Sequence, residues 1–196
     1  MLEAYFRSYY QKWLVDDVAK CISQFISPNL ITVYGMLFGI VTAILLGLHH
    51  PYWALVSLII SGYLDSLDGT IARLTVRSTP FGSALDIICD RIVEFSVILG
   101  LYFVDPIARA TTTIWMLGSI LICISSFLVV GIFTQNHHEK SFYYSPGIME
   151  RFESFLFFFA MILWPHYFTY CGYAFTVLVV ITVILRMREF AYDCRS

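Results

Sequence analysis

Apolar runs of roughly 20 residues, long enough to cross a bilayer as a helix, recur along the whole of this 196-residue chain. They predict helices from Pro28 to about Leu48, from Pro51 to the turn around Arg77–Pro80, and over roughly 82–104, 107–133, 148–164 and 168–185. Ser27 and Pro28 read as an N-cap followed by the first helical position. The expected fold class is an all-α integral membrane protein of one domain, residues 1–196. It would have an N-terminal interfacial amphipathic helix over 1–26 and a six-helix transmembrane bundle over 27–190. Composition agrees: the chain is 13% charged, against about 25% in a soluble domain, with a mean hydropathy of +0.75.

In the N-terminal arm, Phe6, Trp13, Val18 and Phe25 line one side of a helix, which suits either the membrane interface or packing on the bundle. Charged residues precede the first apolar run, so no cleavable signal peptide is expected. Net charge is −2, which gives no electrostatic reason for a nucleic-acid partner. Five cysteines lack C-x2-C spacing and read as buried small hydrophobes or free thiols. Lysine and arginine gather in the N-terminal arm, the 74–81 turn, the 134–147 loop and the C-terminal tail with Arg186, Arg188 and Arg195. Positive residues favour the cytoplasm, so both termini and that end of the bundle are expected there. His137–His138 in the polar loop read as solvated, and Phe155, Phe157, Phe158 and Phe159 as lipid-facing or packing residues.

Against this background stand Asp65, Asp68, Asp86 and Asp90, four carboxylates within 26 residues. Ionisable groups at membrane depth are costly and mark functional sites. Asp65 and Asp68 share one face of the second helix, and Asp86 and Asp90 one face of the third. A short turn between these helices would bring the faces together around one or two hard cations, Mg²⁺, Mn²⁺ or Ca²⁺. Gly69, Ala72 and Gly82 remove side chains where a ligand or a helix must come close, and Arg73 offers a fork for phosphate. Salt bridges to Arg73, Arg77 and Arg91 would account for the acids but not for the small residues. Glu94 continues the acidic stripe and is expected to pair with an arginine.

The pattern D-x2-D-G-x2-A-R-x8-G-x3-D-x3-D, complete from Asp65 to Asp90, resembles the signature of the CDP-alcohol phosphotransferase family. The resemblance implies a membrane enzyme of six transmembrane helices, acting as a homodimer with its site near the cytoplasmic face. There a CDP-linked lipid such as CDP-diacylglycerol is held by Mg²⁺ or Mn²⁺, two ions being expected on Asp65, Asp68, Asp86 and Asp90. The hydroxyl of a small polar alcohol attacks the phosphorus nearest the lipid, and CMP leaves. It further implies that Asp90 is the general base, although four carboxylates do not by themselves separate base from ligand. Pro28-Asn29-x-x-Thr32 is similar to the start of the family's first span, where Asn29 and Thr32 lie beside the nucleotide with Gly69, Ala72, Arg73 and Gly82.

Residues 147–153 resemble the start of the fifth helix in the branch that makes phosphatidylinositol phosphate, making Arg151, helped by Arg91 or Lys140, a candidate grip on an acceptor phosphate. That branch also carries basic residues at the end of its fourth helix, whereas residues 125–133 have no charge. Inositol phosphate, glycerol 3-phosphate and an unphosphorylated polyol therefore stay open as acceptors. The competing classes are an intramembrane prenyltransferase, whose two Asp motifs lie far apart in sequence, and a non-enzymatic cation transporter, which has no use for Gly69-x2-Ala72-Arg73.

Overall fold

A computed structural model describes residues 15–23, 26–75, 79–133 and 148–193. Most of the 1–26 arm, Arg77, the loop with His137, His138 and Lys140, and Arg195 lie outside the described residues. The chain divides into two compact units, Met1–Val104 and Asp105–Ser196.

The first unit holds α1 (Asp16–Ile22), α2 (Pro28–Gly47), α3 (Pro51–Leu74) and α4 (Pro80–Val104). Proline opens α2, α3 and α4, where its missing N–H and fixed φ cost nothing. Ser27 occupies the N-cap position in extended conformation, but its hydroxyl makes no capping bond. Thr79 caps α4, accepting from the Gly82 N–H at 3.0 Å. Between α2 and α3 the chain turns within three residues, His49 taking a left-handed φ of 59°. The His50 N–H closes the end of α2 on the Leu45 carbonyl.

Helix α2 is the spine of this unit. It packs along both α3 and α4, which share little backbone contact with each other among the described residues. The acidic faces are therefore brought together by a common partner, not by direct packing of consecutive helices as the short turn suggested. The physical reason is a stripe of small residues, Gly35, Gly39, Ala43 and Gly47, spaced four apart on α2. A methyl on Gly35 would meet Leu64 Cβ of α3 at 3.5 Å, and one on Gly39 would come within 2.7 Å of Val93 of α4. Ser57 and Ser61 of α3 donate to the α2 carbonyls of Phe38 and Gly35 at 2.8 and 2.7 Å, which sets the register of the pair. Helix α1 packs on α3 through Val15 and Ala19, in a core with Ile31, Leu67 and Ile71. Val18, expected on the apolar side of this helix, is exposed, and the face packed on α3 runs through positions 15 and 19.

The second unit holds α5 (Pro106–Phe133), α6 (Arg151–Leu163), a short 3₁₀ turn (Pro165–Tyr167) and α7 (Phe168–Asp193). Gly172 lets α7 lie against Thr112 of α5, and the buried Arg109 guanidinium sits 4.4 Å over the Phe168 ring. On α6, Phe155 and Phe158 are buried, and Phe158 stacks on Phe175 of α7. Helix α7 continues to Asp193, eight residues past the expected end at Leu185. Arg186 is thus not part of a basic tail. It donates to the Cys123 carbonyl and the Ser126 hydroxyl of α5 at 3.0 and 2.9 Å, and these bonds, with a cation–π contact to Phe127, reward continuing the helix.

Among the described residues, four segments are long and apolar enough to cross a membrane: Pro28–Gly47, Pro51–Leu74, Pro106–Phe133 and Pro165–Tyr192. Their outward faces expose residues such as Ile44, Ile59, Leu121 and Ile184, which a bilayer would cover. The chain is an integral, multi-pass membrane protein. The other two expected spans differ for separate reasons. Helix α4 is long enough but carries Asp86, Asp90, Arg91 and Glu94, while α6 has 13 residues, about 20 Å of helix against a hydrocarbon core of roughly 30 Å.

Candidate metal and nucleotide site

One turn of α3 presents Asp65 and Asp68 side by side, and the second turn of α4 presents Asp86 opposite them. One carboxylate oxygen from each lies within 4.8 Å of the others. Hard divalent cations bind oxygen at roughly 2.0–2.6 Å, so two ligands on opposite sides of one ion stand about 4–5 Å apart. Three converging carboxylates with this spread, with no nitrogen or sulfur ligand beside them among the described residues, fit such a cation. Asp68 is buried, while Asp65 and Asp86 are half-buried.

Helix α2 contributes from behind. The Thr32 hydroxyl donates to Asp68 Oδ2. At the start of the same helix, Asn29 Oδ1 lies 3.0 Å from where a Gly82 side chain would begin. A side chain at position 82 would thus crowd Asn29, a close approach of the two segments singled out for the nucleotide.

Gly69 is different. Among the described residues a methyl there would meet only Arg73 Nη1, at an ordinary 3.5 Å, so their packing does not demand glycine. Arg73 is exposed and folds back along α3, donating from Nη2 to the Thr70 hydroxyl at 3.0 Å. Ala72 is half-buried beside it. Small residues and an exposed guanidinium thus sit on the helix turn that follows the carboxylates, leaving room for an anionic ligand.

The remaining expected residues are placed otherwise. Asp90 is half-buried on α4, one turn past Asp86, and is not a member of the converging group. Arg91 is ion-paired with Glu94 at 2.6 Å, the pairing expected for Glu94. Arg151 belongs to the second unit, with its guanidinium 5.6 Å over Phe155. Ser57, Ser61 and Thr79 belong to no motif. Helix-capping rules point to Thr79 before Pro80, whereas the serines have no local signal because their partners lie on another helix.

Comparison with known proteins agrees with this geometry. The chain is 30% identical over 169 residues to the inner membrane protein YnjF of Escherichia coli K12, covering 83% of this chain and 82% of that one. Its fold is similar to phosphatidylinositol phosphate synthase of Mycobacterium tuberculosis solved with CDP-DAG bound, at TM-score 0.75 and 20% identity over 90% of this chain and 93% of that one. The same enzyme in complex with manganese and citrate matches at TM-score 0.72 and 20% identity, over 89% and 88%. Residues 25–187, which hold the whole carboxylate signature, match the model of the CDP-alcohol phosphatidyltransferase family, and the chain belongs to that family of enzymes, which move a phosphatidyl group from a CDP-alcohol to a polar alcohol with metal assistance.

Proposed function

We propose that the protein transfers the phosphatidyl group of CDP-diacylglycerol to a small polar alcohol, glycerol 3-phosphate or inositol phosphate being the leading acceptors, and releases CMP. The observation that carries this reading is the convergence of Asp65, Asp68 and Asp86 within 4.8 Å inside a complete family signature. When bound, Mg²⁺ or Mn²⁺ neutralises the pyrophosphate and stabilises the leaving CMP. Asp65, Asp68 and Asp86 hold the metal, and the four negative charges that include Asp90 would balance two ions. The nucleotide lies along Gly69, Ala72 and Arg73 of α3, with Asn29 and Gly82 beside it.

Asp90 takes the proton of the attacking hydroxyl, and its place outside the group of three suits a base better than a ligand. The alcohol oxygen then bonds to the phosphorus nearest the diacylglycerol, the phosphoanhydride bond breaks, and CMP departs with the electron pair. Arg151 is the proposed grip on an acceptor phosphate. Arg91 is the weaker candidate, because Glu94 already balances its charge.

The family match spans both units, which supports reading them as one catalytic domain. In that reading α4 and the longer 148–164 segment that contains α6 complete six membrane crossings and the 1–26 arm lies at the interface. The lysine and arginine distribution supports cytoplasmic termini and a cytoplasmic site, and the family resemblance supports a homodimer. Neither the prenyltransferase nor the transporter alternative gains anything from the comparisons. The test is CMP release from CDP-diacylglycerol by purified protein with Mn²⁺, screened against glycerol 3-phosphate, inositol phosphate and unphosphorylated polyols, with product mass as readout. Release of CMP with none of these acceptors, or no release at all, would overturn the proposal.

A further inference from the structure

We infer that Thr32 is a positioning residue, which holds the Asp68 carboxylate in its metal-binding orientation from a neighbouring helix. The inference rests on the metal site proposed above. The Thr32 side chain is buried, and its hydroxyl is 2.5 Å from Asp68 Oδ2 and 3.2 Å from the Pro28 carbonyl. A hydroxyl has one proton to donate. The carboxylate, as the charged acceptor, has a stronger claim on it than the neutral Pro28 carbonyl.

Asp68 needs such a restraint. Three carboxylates whose oxygens approach within 4.8 Å repel one another when no cation lies between them, and an aspartate relieves that repulsion by turning about its side-chain bonds. A donor fixed on another helix opposes the turn. Thr32 is well suited because β-branching limits its own rotation. The bonds from Ser61 to the Gly35 carbonyl and from Ser57 to the Phe38 carbonyl hold α2 in register with α3. A carboxylate oxygen that accepts one hydrogen bond is still able to ligate a cation. Thus α2 contributes to metal affinity without supplying a metal ligand, as outer-shell groups do in other metal sites.

The experiment is Mn²⁺ binding by the purified full-length chain without substrate, read by the electron paramagnetic resonance of free Mn²⁺. Thr32→Val keeps the shape and removes the donor, and should weaken Mn²⁺ binding about 10- to 100-fold, the usual effect of losing an outer-shell partner. Thr32→Ser restores the hydroxyl and should bind within a few-fold of wild type. Thr32→Ala is read in the same way should the valine variant not fold. At saturating Mn²⁺, CMP affinity should be the same in wild type and Thr32→Val. Unchanged Mn²⁺ binding in the donor-less variants would overturn the inference. So would a loss of CMP affinity that persists at saturating Mn²⁺, because Thr32 would then be a direct nucleotide contact. Failure of the wild-type chain itself to bind Mn²⁺ would instead overturn the metal site beneath both.

Discussion

Gly100 on α4 faces Ala43 on α2 so closely that a methyl in place of its hydrogen would stand 2.6 Å from the Ala43 Cα. Backbone faces backbone here, so no side chain can rotate out of the way. Gly100→Ala should therefore push α2 and α4 apart, at an overpacking cost of about 1–3 kcal/mol. Gly118→Ala on α5 is the control: nothing lies within 4 Å of the added methyl, and stability should hold or rise by up to about 1 kcal/mol. Thermal unfolding in detergent, followed by loss of the monodisperse chromatographic peak, compares the two.

Gly69 separates the demands of the ligand from those of the fold. Its methyl would make only an ordinary contact with Arg73, so Gly69→Ala should keep or slightly raise the thermal stability. An overpacking cost of about 1–3 kcal/mol should appear in nucleotide binding instead. Titration with CMP at saturating Mn²⁺ measures it, and wild-type affinity would remove Gly69 from the site.

Replacing Asp86 with Asn takes one charge from the converging group and leaves a poor ligand for a hard cation. Without metal the variant should be as stable as wild type or more so, since a like-charge repulsion is gone. Mn²⁺ at about 100 times its dissociation constant should stabilise wild type by about 2.7 kcal/mol, and Asp86→Asn should lose that response along with turnover. A melting series with and without Mn²⁺ reads both signs in one experiment.

Arg151→Ala addresses the acceptor. If Arg151 holds a phosphate through a charged hydrogen bond worth about 1.5–3 kcal/mol, the Michaelis constant for a phosphorylated acceptor should rise about tenfold or more. That for CDP-diacylglycerol should stay unchanged. Steady-state kinetics with each substrate varied in turn tests it, and equal effects on both substrates would mark a general loss of structure.

Helix positions were legible because their signals are local. Pro28, Pro51, Pro80 and Pro106 each open a helix, and the spacing of Asp65, Asp68 and Asp86 is enough to place each on a definite helix face. The end of α7 is not legible, for the opposite reason. An arginine after an apolar run looks like a tail, and only the carbonyl and hydroxyl of Cys123 and Ser126, 60 or more residues away, show why the helix continues. The Gly35, Gly39, Ala43 and Gly47 stripe is readable as a packing face, yet nothing in its spacing tells which helices it will meet.

By itself the sequence determined the helical membrane architecture, the family and the carboxylates of the candidate metal site, because hydropathy, proline and fixed spacing act over a few turns of one helix. The tertiary structure decided that α2 lies between α3 and α4, that Thr32 reaches Asp68, and that Arg186 folds onto α5. Those outcomes depend on which surfaces fit and which buried polar groups find partners across the chain, and that complementarity exists only once the helices have packed.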